Sequence, residues 1–242
     1  MTQTLSTPRP PAVDPRVDDL AYSVRRYFVD EFFTRRVARL PPGARVVDIG
    51  GIKGRKRGQF DLDACDVRAI RVNTSAAASP DVVADAACIP LPDAQADAVI
   101  MGEVVEHLPD PVAALREAAR LLRPGGELLA TAPFMFRVHD DPIDVGRYTP
   151  YWWTTTLRAC GFGDIAVEPQ GMFFSVLAEL LRGWALHLRD TDGFWPGVEA
   201  HAMPFVRWVR ERALAHERSL GERAHPYYRS FATGYGVRAV RA

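Results

Sequence analysis

Cysteine is scarce: the 242-residue chain has three, Cys65, Cys88 and Cys160. An odd number of widely spaced thiols builds neither a disulfide framework nor a paired-thiol metal site, so a reducing cytoplasm is the expected location. An excess of one charge is also missing. Thirty Lys and Arg stand against thirty Asp and Glu, for a formal net charge of zero. That excludes nucleic-acid binding by bulk electrostatics and leaves only local basic patches. No continuous apolar run suits a membrane span or a signal-peptide core. Internal repeats and low-complexity core segments are absent too. What is plentiful is apolar residue, 48% of the chain, enough for a sizeable buried core in one domain.

Residues 1–13, MTQTLSTPRPPAV, are polar and proline-rich and read as a disordered tail; 14–242 reads as a single domain. Asp14 then Pro15 has the form of an N-cap and first-turn proline. Val17, Leu20, Ala21, Val24, Tyr27, Phe28 and Phe32 follow at three- and four-residue steps, predicting an N-terminal helix to about Leu40. Short apolar runs then alternate with helical or loop segments, with strands expected at 45–49, 69–73, 82–84, 98–101, 127–132 and 164–168. Asp110–Pro111 and Thr149–Pro150 repeat the cap-plus-proline start. Two broadly apolar helical stretches occupy 172–220, an expected insertion or cap, and SFATGYGVRAVRA alternates as a last strand. Continuous apolar runs separated by helices predict an α/β, Rossmann-like, doubly wound and mainly parallel sheet.

The chemistry starts at VVDIGGIKGRKRGQF, residues 46–60. A strand ends at Asp48, and Gly50, Gly51 and Gly54 let a ligand approach bare backbone. No Lys-Ser or Lys-Thr follows, so this is no nucleoside-triphosphate loop. Nor does it form the spaced glycine triplet that opens a helix under a dinucleotide. A carboxylate just before the bend is unfavourable beside phosphate and useful beside an ammonium group. Lys53, Arg55, Lys56 and Arg57 read either as a solvated loop or as a site for an anionic group on a substrate.

VVDIGGIKG, the run DVVADAACIPLPDAQADAVIMGEVVEHLPDPVAALREAARLLRPGGELLATAPF and LRACGF together resemble the class I S-adenosylmethionine-dependent methyltransferases, over roughly residues 42–165 and the last strand. The resemblance implies a seven-stranded sheet with an antiparallel last strand, and S-adenosylmethionine as cofactor. It implies that Asp48, Gly50, Gly51 and Gly54 wrap the methionine tail. Asp85 and Ala86 would sit by the adenine, and Met101, Gly102 and Glu103 beside the cofactor at the fourth strand's end. Asn73 stands where an acid usually holds both ribose hydroxyls, and Ile52 where a central glycine is usual. Only eight residues separate Asn73 from Val82, so the helix usual there is absent or tiny.

Methyl transfer to a hydroxyl needs alignment and proton removal. His139, Asp144, Arg147 and Tyr148 lie in a stretch, APFMFRVHDDPIDVGRYTP, which is similar to one in a glycan- and natural-product-associated methyltransferase subgroup. His139 is the expected general base. Arg147 either clamps a substrate acid or pairs with Asp144. Tyr22 and Tyr27, with Phe28, are expected at the acceptor from one side, and Phe173, Phe174 and Trp184 from the other. Glu103, Glu106 and His107 stand at i, i+3 and i+4, on one face of a helical turn. With His139 they resemble the ligand set of metal-dependent small-RNA and quinone-pathway O-methyltransferases; a divalent metal is the alternative rather than the expectation. The reading is methyl transfer to a small-molecule or sugar hydroxyl in natural-product or glycan biosynthesis, with neither nucleic acid nor membrane as partner. The alternatives are a metal-dependent O-methyltransferase of RNA ends or quinone precursors, a small-molecule N-methyltransferase, and a non-catalytic binding protein of the same fold.

Overall fold

A computed structural model describes residues 12–54, 58–139, 143–188 and 199–242. The tail up to residue 11, Arg55–Arg57 of the basic loop, and Asp140 and Asp141 lie outside the described residues. Seven strands form one sheet: β1 (Ala44–Ile49), β2 (Val67–Asn73), β3 (Val82–Val83), β4 (Ala96–Gly102), β5 (Leu122–Pro133), β6 (Phe162–Gln170) and β7 (Gly234–Arg241). Their order is β3-β2-β1-β4-β5-β7-β6. β7 runs antiparallel to both neighbours, and the pairs from β3 to β5 are parallel. The order reverses between β1 and β4, which opens a crevice at their C-terminal ends.

Alternation along each strand sorts side chains to two covered faces. Val47, Ile49, Val99, Met101 and Leu128 pack under α2 (Pro111–Leu121) and α3 (Pro150–Ala159). Val46, Ala98, Ile100 and Leu129 pack under Val29, Phe32, Phe33 and Val37 of α1 (Val24–Val37). Both cap-plus-proline starts form as the sequence predicts: Asp110 accepts from Ala113 N and Thr149 from Trp152 N. Trp153 on α3 is fully buried, and its indole N–H has no hydrogen-bond partner among the described residues. Trp153→Ala should therefore cost about 3–5 kcal/mol in urea unfolding. Trp153→Phe should cost less, because it also removes an unsatisfied donor.

The first helix corrects the sequence expectation. It begins at Val24, capped by Ser23, and not at Asp14. Asp14 spends its carboxylate on the Arg16 N–H, and Arg16 has a φ of 43°. The buried Arg210 guanidinium donates to the Val17, Asp19 and Tyr22 carbonyls at 3.1, 3.0 and 2.6 Å. Carbonyls held this way are unavailable to helix N–H groups. The periodic apolar residues before Ser23 are thus buried from an irregular segment.

Arg210 belongs to α5 (Glu199–Leu220), which packs on α4 (Phe173–Leu186); a short α6 (Pro226–Arg229) leads into β7. Among the described residues of 51–66 the one helical element is a 3-10 turn at Leu62–Ala64, and Ala76–Ala78 is the 3-10 turn between β2 and β3. Among the described residues, no helix is long and apolar enough to cross a membrane.

Candidate active site

Beyond Ile49 the chain turns through Gly50 at φ 81° and Gly54 at φ 68°. A Cβ on Gly51 would collide with the Asp48 carboxylate, and one on Gly50 with Val104. The bend is therefore bare backbone laid directly over an acid. It borders a cavity of about 280 Å³ to which Asp48, Gly50, Gly51, Gly54 and Gly102 contribute. Asp48 is half-buried at the cavity wall. Desolvation pushes its carboxyl up to about 7, against the pull of the Arg71 guanidinium and with a further push from Asp63.

The opposite wall was not read from the sequence. Arg26, Asp30 and Phe33 of α1, with Phe60, Asp63 and Arg71, complete the cavity. Asp30 accepts from Tyr22 Oη and from Gln59 N, both at 2.6 Å, which ties the helix to the loop at Gln59. Arg71 pairs with Asp63 at 2.6 Å across the same loop. The charged Arg71 inside an apolar strand run was the one local sign of this wall.

Several expected contacts lie elsewhere. Asn73 donates from Nδ2 to the Gly50 and Gly51 carbonyls, each at 3.2 Å, and its Oδ1 accepts from Ser75 N. It braces the bend and does not line the cavity. Met101 and Ala86 are buried in the core on the α2 face of the sheet, on the other side from the cavity. Asp85 is exposed and accepts from Ala87 N. Tyr22 and Tyr27 are buried against α4 and α5, with the Tyr27 hydroxyl accepting from Arg218 at 2.6 Å. Phe173 and Phe174 join Tyr228 in an aromatic cluster.

Glu103, at the tip of β4, has a φ of 56° and forms a buried ion pair with Arg25. Burial pushes its carboxyl up, but the Arg25 charge and hydrogen bonds outweigh that and hold it below the usual range. One turn later Glu106 is wholly buried. Desolvation and the nearby Glu103 charge push its carboxyl up to about 8. The loop after β5 meets this turn. Val145 N and Gly146 N donate to the Glu106 carbonyl, and Tyr148 Oη to that of Val105. Arg147 donates two hydrogen bonds to Asp144, the NH2–Oδ2 one at 2.6 Å, which hold the Asp144 carboxyl well below the usual range. Asp144 also accepts the His139 backbone N–H at 2.9 Å, and its Oδ2 lies 3.1 Å from His139 Nδ1. The Asp144–Arg147 link thus folds the loop and sets the imidazole against Glu106 and His107.

A family model described as a methyltransferase domain matches residues 47–130. A demethylmenaquinone methyltransferase of Mycobacterium bovis (strain BCG / Pasteur 1173P2) is 29% identical over 175 residues, covering 68% of this chain and 72% of that protein. The fold is that of a methyltransferase from Archaeoglobus fulgidus described as SAM-dependent, with a TM-score of 0.54, 18% identity and coverage of 89% and 94% of the two chains. Residues 47–130 thus match a methyltransferase domain, on the fold shared with S-adenosylmethionine-dependent methyltransferases. The [4+2]-cyclase SpnF has the fold as well, with a TM-score of 0.53, 20% identity and coverage of 85% and 79%, so the architecture alone does not fix the reaction. The matched part of the methyltransferase domain contains the glycine bend, Glu103, Glu106 and His107. His139, Asp144, Arg147 and the α4–α5 pair fall outside it.

Proposed function

We propose that the protein transfers the methyl group of S-adenosylmethionine to a hydroxyl of a small molecule or sugar, in a reducing cytoplasm that keeps its cysteines as free thiols. One observation carries this reading: a half-buried carboxylate, Asp48, under bare glycine backbone at the crevice where the strand order reverses. That pairing suits the ammonium of an amino-acid tail, and Arg26 across the cavity suits the tail's carboxylate. Asp85, exposed beyond β3, remains available for the adenine. In calorimetric titration, S-adenosylmethionine and S-adenosylhomocysteine should both bind with one site per chain. Absence of heat at high micromolar concentration would favour a non-catalytic binding protein.

His139 stands on the acceptor side of this reading. Asp144 lies 3.1 Å from one ring nitrogen and accepts the His139 backbone N–H, within reach of orienting the imidazole as a base once an acceptor is bound. The acceptor's proton passes to the imidazole and an oxygen lone pair forms the new C–O bond. The electrons of the broken C–S bond stay on sulfur. His139→Ala should lower kcat by about 100-fold, with the KM for the methyl donor unchanged. If turnover survives intact, the acceptor is an amine that reacts already neutral. The relatives favour a second reading, a quinone-type acceptor, because they are named demethylmenaquinone methyltransferases across two thirds of this chain. Turnover of a demethylated naphthoquinone, with none on glycosides or small phenols, would decide for it.

A further inference from the structure

Glu106, His107 and His139 come from two segments, the turn after β4 and the loop after β5. One ligand atom of each nevertheless lies within 4.8 Å of the others. Glu106 has no exposed surface, and neither carboxylate oxygen has a hydrogen-bond partner among the described residues. A buried carboxyl is ordinarily hydrogen-bonded, so this pair of bare oxygens calls for a counterpart. His107 Nε2 stands 3.7 Å from Glu106 Oε1. The two imidazole rings meet edge to face, with centroids 5.2 Å apart.

The His107 ring is also held from outside the cluster, its Nδ1 bonding the Ile143 carbonyl. His139 Nδ1 lies 3.1 Å from Asp144 Oδ2 but is buried without a hydrogen-bond partner among the described residues. A carbonyl or carboxylate on one imidazole nitrogen fixes the tautomer and presents the other nitrogen as a donor of electrons, which is how metal-bound histidines are commonly supported. We propose that Glu106, His107 and His139 form a binding site for one divalent transition-metal ion. Two imidazole nitrogens and one carboxylate oxygen suit zinc, manganese, iron, cobalt or nickel, and not the all-oxygen shells of magnesium or calcium. Three protein ligands leave coordination positions open. Glu103, the fourth member of the set expected from the sequence, is engaged by Arg25 and is not part of the cluster.

Only the consequence for catalysis rests on the methyl-transfer reading. An ion here would supply positive charge that lowers the proton affinity of an acceptor hydroxyl, and His139 would then serve as its ligand in place of the base role given above.

The test is titration of tag-free, chelator-dialysed full-length protein with Co²⁺, followed by visible absorption and metal analysis. One Co²⁺ per chain should bind, develop a ligand-field band and be displaced by Zn²⁺. Glu106→Gln, His107→Ala and His139→Ala should each weaken uptake by about 100-fold. Circular dichroism and S-adenosylhomocysteine binding by the same variants report whether the fold is intact. No uptake at millimolar Co²⁺, or equal uptake by wild type and all three variants, would overturn the site. A stripped protein that binds S-adenosylhomocysteine and keeps full turnover in chelator overturns the consequence for catalysis, and leaves His139 as the base. Loss of S-adenosylhomocysteine binding with cobalt uptake intact removes the methyltransferase reading and leaves the metal site standing.

Discussion

Asp48→Asn is expected to weaken S-adenosylmethionine binding by about a thousandfold at pH 8, read by calorimetry. The half-buried carboxylate faces the bend, and an ammonium brought there in wild type exchanges hydration for this one charge. Removing one member of a buried, hydrogen-bonded charge pair costs about 3–5 kcal/mol. The size of the substituted side chain barely changes, so the loss is electrostatic and not a change of shape. Direction with pH makes the claim specific. The Asp48 carboxyl holds its proton up to about 7 in the folded protein, against an ordinary value of 3.8. Below pH 7 the methyl donor must displace that proton, so wild-type affinity should fall by about tenfold per pH unit, and the Asn variant should show no such slope.

Stability without ligand moves the other way. Between the two pKa values the unfolded chain binds fewer protons than the folded one, so the contribution of Asp48 is complete below the unfolded value. It is lost as pH rises through 7, a fall of about 4 kcal/mol. Urea unfolding of Asp48→Asn should lack this fall and match or exceed wild type above pH 7. If the two proteins show the same pH dependence and the same affinity, Asp48 does not meet the ligand's cation.

Why was the bend legible when its opposite wall was not? Asp48, Gly50, Gly51 and Gly54 are neighbours in sequence, so the strand's end, the positive-φ turn and the acid can be read together. Arg26, Asp30, Phe60 and Arg71 reach the same cavity from segments whose local patterns report only a helix, a loop and a strand. Their meeting depends on α1 lying over the sheet, where Asp30 ties it to the loop at Gln59. Continuous apolar runs made the strands readable because both faces of the sheet are covered.

Asp14–Pro15 misled for the opposite reason. It has the same local form as Asp110–Pro111, and what separates them is the guanidinium of Arg210 about 190 residues away in the chain. Spacing brought Glu106 and His107 together with Glu103, but it could not reveal that Arg25 takes Glu103 out of the set. Met101 and Ala86 matched the family's motif by position, yet their side chains enter the core, so any contact they make is through backbone.

Arg25 is where the next large effect is expected. Its side chain is almost fully buried. Nε donates to Glu103 Oε2 at 3.0 Å, and the remaining nitrogens bond Glu103 Oε1 and the Gln170 side chain. A Cβ on Gly234 would strike it, so β7 also closes on this group. One guanidinium therefore ties α1 to the ends of β4, β6 and β7 and keeps α1 over the cavity. Arg25→Met leaves the Glu103 carboxylate buried without a counter-charge, at a cost of about 3–5 kcal/mol, or a melting temperature lower by about 10 °C in a domain of this size.

The double variant Arg25→Met/Glu103→Gln distinguishes this account from a simple loss of packing. With both charges gone, no bare carboxylate remains, and a buried pair replaced by neutral groups is often close to neutral in stability. The double variant should regain more than half of the loss, a coupling of about 2 kcal/mol or more between the two positions. Strict additivity would mean that Arg25 acts through its aliphatic stem alone. Methyl-donor affinity should follow stability in this series, falling in the single variant and recovering in the double. The reason is that Arg25 does not line the cavity and reaches it only by positioning α1, whose Arg26, Asp30 and Phe33 do.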